Sequence, residues 1–194
     1  MVYLIIILSM MGLIGGVNII FNPMYEWYVY LLAVAGFTVL SVIVDGIIAA
    51  VIRKLPEKWF DYHKRIFHTS KFEYKFYKLI GVKRWKNFVP ELGMFTGFRK
   101  NKIANPKDPI YLERYILEAC YGIIIHLLSV PFAFIILLAD FKMYGGNSNL
   151  WICVGLPVAI TNAILIVLPA FILKYNLPKL IRLLEFNKNK INNE

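Results

Sequence analysis

Residues able to do covalent chemistry are scarce in this chain. Its 194 residues include three histidines, two cysteines and only 12 acidic side chains, against 22 Lys and Arg. There is no H-E-x-x-H, and His63 and His68 lie five apart rather than four, so no helix face offers a zinc pair and no metal site is expected. The chain also lacks a G-x-S-x-G elbow and a phosphate-binding loop. Cys120 falls six residues before His126 and points elsewhere on a helix, which excludes a Cys–His nucleophile. Cys120 and Cys153 are expected about 15–20 Å apart in depth, too far for a disulfide. No internal repeat is evident. Any nucleophile is therefore expected to be a substrate hydroxyl rather than a protein side chain.

Apolar sequence, by contrast, is abundant. A bilayer-spanning helix needs about 20 mainly apolar residues, and four runs meet that measure: Val2–Phe21, Trp27–Ile52, Tyr115–Leu138 and Leu150–Leu173. No soluble fold accounts for four such runs. The first lacks the basic start and the A-x-A site of a cleaved signal, so it is expected to remain as a span. The fold class is all-α: a polytopic membrane protein, read as one membrane domain over residues 1–194 with four transmembrane helices.

Charge sets the orientation. Sixteen of the 22 Lys and Arg fall between Arg53 and Arg114, five follow Leu173, and only Lys142 lies elsewhere. Basic loops stay on the cytoplasmic side. The insert 53–114 and the tail 174–194 are thus expected inside, with both termini cytoplasmic and short outer connections at Asn22–Glu26 and Asp140–Asn149. The expected location is the cell membrane.

In the insert, basic and aromatic residues interleave. Phe72, Phe76, Leu79 and Ile80 recur at helical spacing with Lys71, Lys75 and Lys78 between them, the pattern of a helix lying flat among lipid headgroups. The same composition suits nucleic acid, but flanking membrane runs exclude that partner in favour of membrane lipids. Asp108 before Pro109 reads as an N-cap followed by proline at the first helical position, so the third helix starts near Pro109.

Three ionisable residues lie inside the runs: Asp45, Glu118 and His126. Such groups are costly in hydrocarbon and usually face a cavity or the bundle interior. Counting 1.5 Å per residue puts Glu118 about 5 Å and Asp45 about 10 Å from the inner face, with His126 and Asn162 near the bilayer centre. Two polar layers are therefore expected. Glu118, Gly122 and His126 recur every fourth residue, with Ser129 three further, in one slowly turning stripe. Gly122 is expected to open a hollow between Glu118 and His126. For Asp45 a snorkelling Lys or Arg is the competing partner, and for Asn162 helix packing is the competing role. A neutral imidazole both donates and accepts a proton, as a general base must.

Three segments carry a family resemblance. "VKRWKNFVPELG" (Val82–Gly93), "YLERYILEACYGIIIH" (Tyr111–His126) and "ILKYNLPKL" (Ile172–Leu180) resemble, in that order, stretches of the glycosyl-4,4'-diaponeurosporenoate acyltransferases. These small membrane enzymes attach a fatty acyl group to a sugar hydroxyl in carotenoid (staphyloxanthin-type) biosynthesis. The resemblance covers about half the chain, from Tyr77 to Leu180. It implies a transferase of fatty acyl groups onto a lipid or glycolipid hydroxyl, with no tightly bound cofactor and an acyl donor such as acyl-CoA as co-substrate. His126 would take the hydroxyl proton, with Glu118 or Asp45 orienting it. Lys83, Arg84, Trp85 and Lys86 would hold the donor, and Asn162, Tyr175 and Asn176 would contact substrate. Where the family has a second acid three residues before the histidine, this chain has Ile123, which implies a divergent substrate, another acidic partner such as Asp45, or an inactive relative. The alternative class is a non-enzymatic membrane protein binding anionic lipid or a protein partner through its basic face. A small transporter subunit is a third reading, disfavoured by the missing repeat. Oligomeric state leaves no mark on the sequence.

Overall fold

The computed structural model describes residues 2–22, 24–89, 103–138 and 150–192, and every regular element among them is helical. The helices are α1 (Val2–Phe21), α2 (Trp27–Arg53), α3 (Lys71–Leu79), α4 (Val82–Trp85), α5 (Pro109–Phe132) and α6 (Leu156–Asn192). Short 3₁₀ turns at Glu57–Phe60 and Arg65–Phe67 follow α2, and α5 tightens into a 3₁₀ run, Ala133–Leu138, just past Pro131. A wide π turn, Trp151–Gly155, leads into α6. The expected outer connection Asp140–Asn149 with its Lys142, and the Pro90-to-Gly93 end of the VKRWKNFVPELG segment, lie outside the described residues.

Among the described residues three helical segments, not the expected four, are long and apolar enough to cross a membrane: Trp27–Arg53, Pro109–Leu138 and Trp151–Ile191. The run Val2–Phe21 does fold as a helix, but its apolar stretch of described side chains is Ile5–Phe21.

The chain forms two compact units, Met1–Val51 with Leu127–Val167, and Ile52–His126 with Leu168–Glu194. In the first, Tyr30, Val34, Phe37 and Ser41 of α2 point inward at steps of four and three, meeting Ile14 of α1, Ile136, and Val154 and Val158 of the π turn and α6. The other side of α2 exposes Leu32, Val39 and Ile43, as a lipid-facing helix must. A Cβ on Gly155 would come within 3.0 Å of the Phe37 ring, so glycine permits that close approach. Asn18 donates to the Cys153 carbonyl inside the π turn (2.9 Å) and to the Ile14 carbonyl (2.8 Å). An amide between helices in this way satisfies backbone oxygens that hydrocarbon would leave orphaned.

The second unit starts α5 where the sequence places it: Asp108 Oδ1 accepts from the Ile110 and Tyr111 amides at 2.9 and 3.3 Å. Leu112, Ile116, Ala119 and Ile123 form its buried stripe. α6 does not stop at Leu173. Leu177, Leu180 and Leu184 stay buried along its extension, Asn187 donates to the Pro106 carbonyl (2.8 Å), and Lys188 pairs with Glu113. The expected tail is thus a helix. Both cysteines are free.

Candidate functional site

The head of α5 carries a charge knot. Glu118 is almost fully buried and receives Arg53 on Oε2 (2.9 Å) and Arg114 on Oε1 (3.1 Å); Arg114 also reaches Glu57 (3.0 Å). The Arg53 guanidinium lies 5.9 Å from the centre of the Tyr121 ring, which itself packs on Phe60 at 4.1 Å. Two guanidiniums therefore already balance the carboxylate expected to assist His126. Arg114–Glu118 is an i,i+4 pair on one helix face. Arg53, 65 residues upstream, carries no such local signature.

The hollow expected at Gly122 is filled. A Cβ there would stand 2.7 Å from Leu173 Cδ1, so Gly122 lets the α6 leucine close on α5. Absence of a side chain made room for a neighbour rather than for substrate. His126 itself is partly buried, one turn further along α5 and within the spanning segment Pro109–Leu138.

In the first unit, Asn162 Nδ2 donates to Asp45 Oδ2 at 3.3 Å. Asp45 is thus partnered by an amide in the same apolar environment, not by a snorkelling cation. The pairing also removes the two expected polar layers, since Asp45 and Asn162 share one level. Depth counted from run ends failed because α6 opens on a π turn and continues well past Leu173. Ser129 adjoins the same carboxylate, yet Asp45 Oδ1 and Ser129 Oγ, both shielded, make no hydrogen bond of normal geometry. Beside Asn162 lies a cavity of about 40 Å³ bounded by α1, α2 and α6, with Met10, Met11, Val42 and Leu165 among its walls. Thr38 and Ser41 also line it, but their hydroxyls are bonded to the Val34 and Phe37 carbonyls (2.7 and 2.9 Å). The open wall is therefore apolar, with Asn162 and Thr161 as its polar edge.

The basic segment divides. Lys83 and Arg84 are exposed, whereas Lys86 and Trp85 are half-buried. Trp85 Nε1 donates to the Ile80 carbonyl (2.8 Å), strapping the turn at Gly81, whose φ of 67° suits glycine. Its ring joins Val82, Tyr77, Ile172 and Tyr175 in a small core. Tyr175, expected to meet substrate, is buried there: it stacks on Tyr74 (5.7 Å, 8°) and lies under Lys179 (4.0 Å). Asn176 is half-buried in the next position.

Sequence reasoning missed the bond that holds this part together. Lys174 Nζ pairs with Glu73 at 2.5 Å, while Thr69 donates to the Lys174 carbonyl (2.8 Å). Glu73 also closes a capping box: its carboxylate accepts from the Ser70 amide (2.7 Å) and its own amide donates to Ser70 Oγ (3.1 Å). The signal was present, since S-x-x-E before an aromatic helix is a capping-box pattern. Burial alone would raise the Glu73 carboxyl, but Lys174 and the Ser70 donors together outweigh it and hold it below the ordinary value. Burial, and then the Glu73 charge, push the Tyr77 phenol up to about 12.

No cluster of three or more His, Cys, Asp or Glu suited to a metal occurs among the described residues. The family model described as glycosyl-4,4'-diaponeurosporenoate acyltransferase matches residues 56–186. No curated protein and no solved structure matches. The match takes in Lys83–Lys86, Glu118, His126, Asn162, Tyr175 and Asn176 and leaves Asp45 outside. Spanning well over half of the sequence, it places this chain in that acyltransferase family.

Proposed function

We propose that this membrane member of the acyltransferase family moves a fatty acyl group from an activated donor to a hydroxyl of a membrane lipid or glycolipid. The acceptor oxygen attacks the donor carbonyl carbon, an ester C–O bond forms, and the bond from acyl carbon to carrier breaks. The hydroxyl proton passes to a base and then to the departing carrier; with an acyl-CoA donor the carrier leaves as a thiol. His126 is that base. The observation that carries this reading is the family match itself, which runs through His126.

Glu118 is a positioning residue: it gathers Arg53 and Arg114 at the head of α5. The exposed Lys83 and Arg84, with Lys86, meet the phosphates of a nucleotide-type donor as point charges and a guanidinium fork. Tyr175 and Trp85 shape the protein around these groups rather than touching substrate.

The test compares extracted lipids from cells carrying the gene, lacking it, or carrying His126→Ala. The expected result is a lipid heavier by one fatty acyl residue that is present only with the native gene. An acylated lipid that persists in His126→Ala cells, with the variant at normal membrane level, overturns the role of His126. No acylated lipid even with the native gene would favour the alternative, a non-catalytic protein acting through its basic face.

A further inference from the structure

α3 presents two unlike faces. Towards the protein, Tyr74 stacks on Tyr175, and Tyr77, only 4% exposed, lies 5.5 Å from the Phe171 ring. Away from it, Phe72 and Leu79, two turns apart, are 79% and 85% exposed, and Phe76, 39% exposed, lies between the two faces with one edge on Phe171. Lys71, Lys75 and Lys78 are exposed along the same helix, Lys78 reaching over the Tyr74 ring at 4.9 Å. An apolar ridge left open between cations is costly in water, at about 25 cal/mol per Å² of apolar surface. The capping box and the Glu73–Lys174 pair nonetheless hold the helix in that pose.

The depth of α3 is marked independently. Phe76 and Tyr77 both meet Phe171, near the end of the apolar run of α6, and the next contact outward is with Lys174, its first cation. The helix is therefore docked at the level where a spanning segment leaves hydrocarbon. Apolar side chains at that level face acyl chains, and lysines beside them face phosphates.

We infer that α3 is an interfacial anchor: Phe72, Phe76 and Leu79 insert into the acyl boundary of an anionic bilayer, and Lys71, Lys75 and Lys78 bind its phosphate headgroups. Charge complementarity selects an anionic lipid surface over a second copy of this chain, whose own α3 would bring like charges together. The inference needs only the membrane spans and stands whether or not the acyl-transfer reading does.

Site-directed spin labelling of the full chain reconstituted in vesicles tests it, in a background with Cys120→Ala and Cys153→Ala. A nitroxide on Leu79→Cys is compared with one on Lys58→Cys, an exposed site away from the ridge. In phosphatidylglycerol-containing vesicles, the label at 79 should be shielded from an aqueous nickel chelate and open to oxygen, while that at 58 stays open to the chelate. Each of Lys71→Gln, Lys75→Gln and Lys78→Gln should weaken insertion about fivefold, and pure phosphatidylcholine should weaken it too. Equal chelate access at the two sites overturns the inference. So does shielding at 79 that survives in detergent together with spin–spin broadening between copies, which would mark a dimer contact. Shielding independent of lipid charge and of the three lysines overturns headgroup recognition.

Discussion

The unit made of Met1–Val51 and Leu127–Val167 and the unit made of Ile52–His126 and Leu168–Glu194 are held by different chemistry. In the first, polar side chains act singly and mostly on backbone: Asn18 on the Ile14 and Cys153 carbonyls, Thr38 and Ser41 one turn back, Tyr30 on the Asn22 carbonyl. Its side-chain pairs, Asn162 on Asp45 and Asn22 on Cys153 Sγ, each join a neutral amide donor to its acceptor. The second is laced by ions: Arg53 and Arg114 on Glu118, Lys174 on Glu73, Lys188 on Glu113, and cations over Tyr74, Tyr121 and Tyr175. Hydrocarbon punishes a free charge and rewards amides that close backbone bonds. Where water reaches, paired charges are tolerated, each exposed pair adding only ~0–1 kcal/mol. The contrast therefore places the low-dielectric environment around the first unit and a mixed one around much of the second.

The largest effect expected from breaking this contrast is chemical. His126→Ala should lower acyl transfer by at least about 100-fold, the low end for loss of a general base, read per molecule of folded protein in the membrane. A steric change comes next. Gly122→Ala sets a Cβ against Leu173 and should cost about 1–3 kcal/mol by overpacking. Combined with Leu173→Ala the penalty should be less than additive in a double-mutant cycle, and strict additivity would show that the two do not meet. The third comparison exchanges the two carboxylates for amides. Glu118→Gln weakens two charge-assisted bonds and should cost about 1–2 kcal/mol, read as a lower melting temperature. Asp45→Asn, beside a neutral partner, should cost less than about 1 kcal/mol; if Asp45→Asn proves the more damaging, the assignment of environments is wrong.

The smallest effect is on pH. Because Glu73 is held below its ordinary value, its pairing with Lys174 stabilises the fold above the ordinary glutamate range and is lost as pH falls through the lowered value. Melting temperature against pH should therefore drop on the acid side, and Glu73→Gln should flatten that limb while lowering the neutral plateau. An acid limb unaltered by the substitution would assign the loss to other carboxylates.

What the sequence disclosed was local. Asp108-Pro109 marked the start of α5 because a cap and a fixed φ act within three residues, and the Phe72–Leu79 spacing marked α3 because a helix repeats every turn. The basic segment and the Glu118-to-His126 stripe also led to the family. Partners distant in sequence were illegible. Nothing near Asp45 announces Asn162, 117 residues on, and nothing near Trp85 distinguishes an interfacial ring from one folded onto the Ile80 carbonyl. Gly122 was misread for a related reason: a missing side chain shows that space is needed, but not what occupies it. The helical extension of α6 was readable, since Leu177, Leu180 and Leu184 keep the helical step; its lysines drew attention to charge instead.

Glu73 both caps its own helix and grips Lys174, 101 residues later. Nine residues are too few to stay helical unaided in water. During synthesis at about 5–20 residues per second, Lys174 follows Glu73 by roughly 5–20 s. The capping box and the membrane surface can form α3 in that interval, and the grip of Lys174 then fixes it to α6.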